Sequence, residues 1–256
     1  MRMAYIFFFS IMTSSFSLQA KPSKLDELKK VTGKPSVSPR NIMTRNFKSV
    51  GEVSGSNRDS NYLTNGDSVF LKMTIPVSVG DVFSIFKDLG PIKKSYRFQE
   101  NSVNRIQLLG EVYITDVKSG WVVGTIMNAE EDIQRGHQIG QALNLKVQLD
   151  PQEPQSALRG KILGGSEGEQ MIGTHRFTFI DKGSKDGLRV NDRLFVMRAS
   201  EKINKEDKNF PEVAIAEIIV VHLDENYATA YVLGGSENFE AGSSFKTAIS
   251  EEKYLD

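Results

Sequence analysis

The chain of 256 residues contains no cysteine, only three histidines and a single tryptophan. The lack of cysteine excludes disulfides, a thiol nucleophile, cysteine-based metal sites and an acylated cysteine anchor. The 32 basic and 32 acidic residues cancel, and neither sign is concentrated in one half, so a nucleic-acid partner is not indicated. After the first twenty residues, no stretch reaches the roughly 18 apolar residues that an integral membrane span needs. Folding must therefore rest on hydrophobic cores, and the remaining chain of about 236 residues is long enough for two of them.

The first twenty residues have the order of features of a secretory signal peptide. Arg2 precedes an apolar run from Tyr5 to Met12, and Ala20 provides a small residue before Lys21. The apolar run is too short to span a bilayer. We therefore predict a periplasmic or secreted protein that is cleaved near Ala20, with a retained N-terminal anchor as the alternative.

Residues 21–60 are assigned to a short helix and a linker. Ser23 begins a short amphipathic pattern that ends at Gly33. From Gly33 to Asn61 the chain is rich in serine, proline, asparagine and glycine, with little apolar periodicity, which predicts a flexible tether. A segment packed onto the first domain is the alternative.

Two parts of the remaining chain occur twice. The stretch from Gly110 to Ile139 matches the stretch from Ala216 to Phe245 without a gap, at a constant offset of 106 residues. The run VGDVFSIFK at 79–87 aligns with VNDRLFVMR at 190–198, at an offset of 111 residues. Repeats of this size exceed the periods of solenoids and indicate two tandem domains.

Short alternating runs separated by turn signals predict an all-β fold for both copies. Each half has the order strand, Gly-Asp or Asn-Asp turn, strand, variable insert and long hairpin. We expect two small β-barrels or sandwiches, at 61–150 and 160–248, joined by a linker at 151–159 and followed by a tail at 249–256.

Two motifs invite a catalytic interpretation. Ser166 lies in a G-x-S-x-G string, the pattern of a hydrolase nucleophile elbow, but an elbow needs a strand before it and a helix after it. We interpret the string as a glycine-rich hairpin loop. Glu111 and Glu217 form the most obvious acidic pair, yet their equivalence in two copies favours matched structural roles over the two different roles of glycosidase carboxylates. No residue is assigned a catalytic role, and an enzyme is not predicted.

The histidines and aromatic residues give no cofactor or metal prediction. His137, His175 and His222 lack the spacing of zinc ligands. The aromatic residues fall mostly at alternating positions beside aliphatic ones, which favours packing in the cores over a glycan-stacking platform. This set comprises Phe83, Phe86, Trp121, Phe177, Phe179, Phe195, Tyr227 and Phe245.

The insert of the first half is the best candidate surface for a partner. It is longer than its counterpart in the second half and mixes cations with aromatic residues. Such residues are enriched at protein interfaces. The predicted partner-binding residues are Lys93, Lys94, Tyr96, Arg97 and Phe98. We expect them to bind an envelope protein.

A family resemblance is carried by two runs, RFTFIDKGSKDGLRVNDRLFVMR at 176–198 and EVAIAEIIVVHLDENYATAYVLGGSENFEAGSSF at 212–245. An earlier copy of the same pattern lies at 66–70, 80–87, 109–111 and 132–137. They resemble the C-terminal region of bacterial envelope proteins that begin with a lysin-motif (LysM) peptidoglycan-binding domain. The resemblance covers about Asn61 to Phe245 and implies a non-catalytic binding or scaffolding protein. His137 and Ser243 stand where that family usually has Asp.

No lysin motif occurs between Lys21 and Asn61. The resemblance therefore does not imply peptidoglycan binding, and peptidoglycan stays a possible partner. The unit GSKDGLRVND at 183–192 is also similar to the C-terminal domain of flagellar assembly protein T, which implies a flagellar periplasmic-ring accessory as the alternative. A cell-wall-active hydrolase is the third alternative.

Overall fold

The computed structural model describes residues 34–45, 47–91, 104–199 and 212–247. Within these ranges the regular structure is almost entirely β, as predicted, with one short 3₁₀ turn at Ser184–Asp186. The strands are β1 (Ser36–Val37), β2 (Asn41–Thr44), β3 (Gly51–Ser56), β4 (Ser68–Met73), β5 (Val82–Gly90), β6 (Asn104–Lys118), β7 (Trp121–Met127), β8 (Gln138–Gln141), β9 (Val147–Gln148), β10 (Arg159–Gly165), β11 (Met171–Ile172), β12 (Phe177–Ile180), β13 (Arg193–Ala199), β14 (Glu212–Leu223), β15 (Ala228–Gly235), β16 (Phe239–Glu240) and β17 (Ser244–Thr247).

The first barrel is a ring of six antiparallel strands. Its sheet has the order β2-β6-β5-β8-β3-β4-β7, and an additional pairing of β6 with β7 joins the two ends of the ring. Strand β2 lies outside the ring, as an extra strand on the edge of β6. Inside, β7 shows the alternation that places Val122, Gly124 and Ile126 toward the core. The interior is filled by aliphatic side chains.

The second barrel repeats this arrangement. Strands β10-β12-β15-β14-β13-β17 form a closed ring around a second aliphatic core. The register follows the offsets seen in the sequence. Ser84 pairs with Glu111 in the first barrel, and Phe195 pairs with Glu217 in the second. The duplication is thus present in the strand pairing as well as in the sequence.

Six turns share one hydrogen-bonded geometry, three in each barrel. In each turn an apolar residue that faces the interior is followed three positions later by a residue with positive φ. In five of the six turns, the residue after the positive-φ residue donates its N–H to the carbonyl oxygen of the residue three positions earlier. Its side chain accepts the N–H of that same earlier residue. The positive-φ residues are Gly66, Gly80, Gly136, His175, Asn191 and Gly242. The accepting side chains are Asp67, Asp81, His137, Asp192 and Ser243.

This geometry explains the Gly-Asp and Asn-Asp pairs of the sequence. The carboxylate of Asp81 lies 2.8 Å from the N–H of Ser78, and that of Asp192 lies 2.8 Å from the N–H of Arg189. The pairs therefore serve the backbone through Asx-type hydrogen bonds. His137 Nδ1 accepts the N–H of Gln134 at 3.0 Å and replaces the carboxylate in its own turn.

The predicted flexible tether between Gly33 and Asn61 is wrong for the part of it that the structure describes. This segment contains β1, β2 and β3, and β3 belongs to the ring of the first barrel. The first barrel therefore begins before the predicted boundary at residue 61. Gly51 occurs there because a Cβ atom would lie 2.7 Å from the carbonyl oxygen of Lys72. This glycine, which contributed to the resemblance to a linker, is therefore required by close strand packing.

The segment from Ser36 to Thr44 contacts both barrels. Ile42 packs with Phe86 and Ile106 of the first barrel. Met43 is 2% exposed and packs with Leu163, Phe179 and Tyr227 of the second. Strand β2 is hydrogen-bonded to the first barrel and joined by side chains to the second.

The predicted short helix at 21–33 and the tail at 249–256 lie outside the described residues. Within the part of the chain that the structure describes, no helix has the length and hydropathy needed to cross a membrane.

Candidate functional site

The predicted partner-binding residues Lys93, Lys94, Tyr96, Arg97 and Phe98 lie outside the described residues, which stop at residue 91 and resume at residue 104. The described flanks are the end of β5 and the start of β6. The insert is therefore carried between two neighbouring strands of the first barrel. Its role as a binding surface stays a prediction.

Ser166 does not lie in a nucleophile elbow. Strand β10 ends at Gly165, the turn follows, and the chain continues into the short strand β11 without a helix. Ser166 is 2% exposed, and its N–H donates to the carbonyl oxygen of Phe177 at 2.9 Å. The elbow requires a strand-to-helix transition that presents the serine at the surface. This serine has the surroundings of a hairpin loop.

Glu111 and Glu217 occupy equivalent positions in different barrels, so the structure does not bring them together. Glu111 accepts a hydrogen bond from the amide of Asn128 at 2.7 Å. Glu217 lies 3.7 Å from the guanidinium of Arg193. A glycosidase needs both carboxyl groups on either side of one bond. These two carboxylates cannot act on one substrate bond.

The three histidines also lie in separate surroundings. His175 Nδ1 lies 2.8 Å from the hydroxyl of Tyr231, whose pKa is raised by burial. Burial, opposed by Asp224, lowers the pKa of His222 in β14. The pKa of His137 is lowered by burial and by Lys87. Among the described residues, no three His, Asp or Glu side chains are placed to share a metal ion.

The interpretation of the aromatic set as core residues is wrong for Trp121. Its side chain is 45% exposed at the start of β7, and its ring centroid lies 4.9 Å from that of Phe70 on the neighbouring strand. The Lys118 ammonium lies 5.9 Å from the same ring. Phe86, Phe179, Phe245 and Tyr227 are buried as predicted.

A cleft on the outside of the first barrel brings together charged, amide and apolar side chains that lie far apart in the sequence. We call it the Glu111 cleft, and its volume is about 410 Å³. That volume is within the range of small-molecule sites. The lining residues are Ser38, Pro39, Arg40, Ser84, Leu108, Gly110, Glu111, Asn128, Glu130, Leu143, Asn144, Leu145 and Lys146.

The floor of the cleft depends on a small residue in β5. Ser84 is 2% exposed, and its hydroxyl accepts the N–H of Leu143 at 3.0 Å. This bond holds the segment after β8 against the barrel, so that Leu143 and Leu145 form one wall. The opposite wall comes from the end of the hairpin of β6 and β7, where Asn128 has a φ of 51°.

The charges of the cleft are only partly paired. Arg40 donates from Nε to Glu130 at 2.9 Å and from Nη1 to Glu131 at 2.9 Å. The ammonium of Lys146 makes no ion pair with any described residue, and neither does the carboxylate of Glu111. One unpaired group of each sign therefore faces the same cleft.

The second barrel carries larger residues at two positions equivalent to Ser84 and its neighbour Val82. The strand register places Phe195 at the position of Ser84 and Arg193 at that of Val82. The Arg193 guanidinium carbon lies 5.4 Å from the centre of the Phe195 ring and its Nη1 lies 3.7 Å from Glu217. Phenyl and guanidinium groups thus occupy the positions that Ser84 and Val82 have in the first barrel.

This cleft was not predicted from the sequence, although one signal of it is present there. The aligned runs VGDVFSIFK and VNDRLFVMR already place Val82 and Ser84 opposite Arg193 and Phe195. The contribution of Arg40 and Lys146 was hidden, because Arg40 belongs to the segment predicted as a tether and Lys146 lies at the far end of the first predicted domain. Comparison with known proteins finds no family model and no curated protein that matches this chain.

Proposed function

We propose that this protein is an exported, non-catalytic binding or scaffolding module of the bacterial cell envelope. Two sequence features support the proposal: the leader at 1–20 and the resemblance to the C-terminal region of LysM proteins. The expected partner is an envelope protein, with peptidoglycan as the competing partner.

The arrangement of polar residues supports binding over catalysis. Side chains with catalytic potential lie in different places: Ser166 in a hairpin turn of the second barrel, Glu111 on the outside of the first barrel and Glu217 beside Arg193. Most carboxylates next to a positive-φ residue bind the backbone of their own turn. Catalysis needs an acid, a base or a nucleophile held around one reacting atom.

The observation that carries the proposal is the Glu111 cleft. The opening is lined by charged, amide and apolar side chains, and the second copy of the duplicated scaffold carries the larger residues Phe195 and Arg193 at the equivalent strand positions. Pockets of this kind are the usual location of ligand recognition.

A site-specific crosslinking experiment in the native envelope tests the proposal. A photoreactive phenylalanine derivative replaces Glu130 at the rim of the cleft, and the control carries it at Ser236, the exposed equivalent position in the second barrel. We expect an envelope protein to crosslink at position 130 and not at position 236. Equal products at both positions, or labelling of cytosolic proteins only, would contradict the proposal.

A second experiment separates a protein partner from the cell wall. The triple variant Tyr96→Ala, Arg97→Ala, Phe98→Ala should reduce recovery of the partner, since truncation of aromatic and arginine hot-spot residues costs about 2 kcal/mol or more. The wild-type protein should stay in solution when purified sacculi are sedimented. Sedimentation with sacculi would favour direct glycan binding.

A further inference from the structure

Comparison of the two barrels shows which residues are specific to the Glu111 cleft. The duplicated strands share their register, so each lining residue of β5 and β6 has a counterpart in the second barrel. Glu111 and Glu217 are the same residue type at the same position. Glu217 has a cation within 4 Å, whereas Glu111 faces an open cleft with the valine Val82 at the position of that cation.

The charges of the cleft select against ligands of a single sign. An anion that approached Lys146 would also meet the carboxylate of Glu111, and a cation that approached Glu111 would also meet the ammonium of Lys146. Two unpaired groups of opposite sign on one cleft are complementary to a ligand that carries both an ammonium and a carboxylate. Among the lining residues, Arg40 and Glu130 offset each other's charge, and the second partner of Arg40, Glu131, is not part of the lining.

Part of the remaining surface of the cleft is apolar. Leu108, Leu143 and Leu145 line it beside the charged groups, and Leu145 is 7% exposed. A ligand with an aliphatic side chain would remove this surface from water, at about 25 cal/mol per Å² of apolar area. A volume of about 410 Å³ lies near the lower limit for ligand pockets and fits a molecule of dipeptide size.

From these three observations we propose that the Glu111 cleft binds a small zwitterion of dipeptide size with an aliphatic side chain. The ligand ammonium lies at Glu111, its carboxylate lies at Lys146, and its side chain lies against the leucines. Asn128 orients Glu111 through the 2.7 Å hydrogen bond that it donates. The inference deepens the proposed function, because it names the ligand class of the same cleft.

The test is an NMR titration of the full chain with alanyl-leucine and two capped forms. N-acetyl-alanyl-leucine lacks the ammonium, and alanyl-leucinamide lacks the carboxylate. We expect alanyl-leucine to shift the amide signals of the cleft with a Kd in the millimolar range or below, and each capped form to bind at least tenfold more weakly.

Variants assign the two charges. The Glu111→Gln variant should bind N-acetyl-alanyl-leucine as well as it binds alanyl-leucine. The Lys146→Met variant should bind alanyl-leucinamide as well as it binds alanyl-leucine. Ser84→Phe, which copies the second barrel, should abolish binding of every probe. The matched control Glu217→Gln, in the second barrel, should bind alanyl-leucine like the wild type.

Three outcomes would overturn the inference. They are the absence of cleft shifts at about 10 mM alanyl-leucine, equal binding of the capped and free forms, and an effect of Glu217→Gln as large as that of Glu111→Gln. Crosslinking at position 130 reports separately on the proposed function. If an envelope partner is captured at that position but no dipeptide binds, the proposed function as a binding module is retained and only the zwitterionic ligand is refuted.

Discussion

The substitution Met43→Ala tests whether strand β2 holds the two barrels together. Met43 extends from a strand that is hydrogen-bonded to the first barrel, but its side chain packs with Leu163, Phe179 and Tyr227 of the second. A change at this residue should therefore weaken the contact between the barrels while it leaves the β2–β6 hydrogen bonds in place.

The expected loss follows from the burial of the side chain. Met43 is 2% exposed, and truncation of a buried methionine to alanine costs about 2–5 kcal/mol, more where the walls cannot close on the cavity. One wall here is the closed second barrel and the other is a paired strand. We expect a loss near the middle of the range, about 3 kcal/mol in the free energy of unfolding.

Urea denaturation, followed by far-ultraviolet circular dichroism and by Trp121 fluorescence, measures this loss. The control is Met43→Leu, which conserves volume and should cost less than about 1.5 kcal/mol. Because Trp121 belongs to the first barrel, a split between the two signals in Met43→Ala alone would show that the barrels have become independent. A loss below about 1 kcal/mol for alanine, or equal losses for alanine and leucine, would refute the reasoning.

Three further predictions concern the repeated turns. His137 accepts the N–H of Gln134 only when Nδ1 is unprotonated, and its pKa is lowered by burial and by Lys87. This stabilisation is complete above the unfolded-state pKa of about 6.5 and is lost as the pH falls through the lower folded-state pKa. His137→Asp should therefore show a smaller fall in melting temperature between neutral and acid pH than the wild type, and parallel curves would contradict this. Gly80 has a φ of 99°, and an added Cβ would meet only the Tyr113 hydroxyl, at an ordinary contact distance of 3.8 Å, so Gly80→Ala should cost about 1 kcal/mol in urea denaturation from backbone strain, and a neutral result would exclude that strain. Asp192→Ala removes the buried carboxylate that accepts the N–H of Arg189, and the loss of this charged hydrogen bond should cost about 1.5–3 kcal/mol. Asp192→Asn should recover most of that stability, and an equal loss in both variants would show that the hydrogen bond is not the cause.

The duplication and the all-β fold were predictable because they depend on local signals that occur twice. The alternation of Val122, Gly124 and Ile126 and the turn residue Asp81 each reflect neighbours within a few positions. Strand β3 was missed because its Gly51 is required by the close approach of the Lys72 carbonyl oxygen, which lies far away in the sequence. A single sequence does not reveal such a contact.

The candidate site was predicted less well than the fold. The Glu111 cleft joins Arg40, Ser84, Glu111 and Lys146, and a ligand site built from separate segments appears only after the chain is folded. The exposure of Trp121 was missed for a related reason, because alternation does not tell the inner face of a barrel strand from an outer face that carries aromatic residues.

The double attachment of strand β2 has a consequence for the order in which the chain folds. The ring strands of the first barrel and β2 all precede residue 142, so this barrel can close with β2 on its edge before the second barrel has formed. The side chain of Met43 then stays unpacked until Leu163, Phe179 and Tyr227, which lie 120 or more positions later in the chain, have folded. Contacts of such large sequence separation form slowly. Until they form, an apolar side chain on an edge strand is open to pairing with another molecule, and this stage is where a newly made chain is most exposed to aggregation.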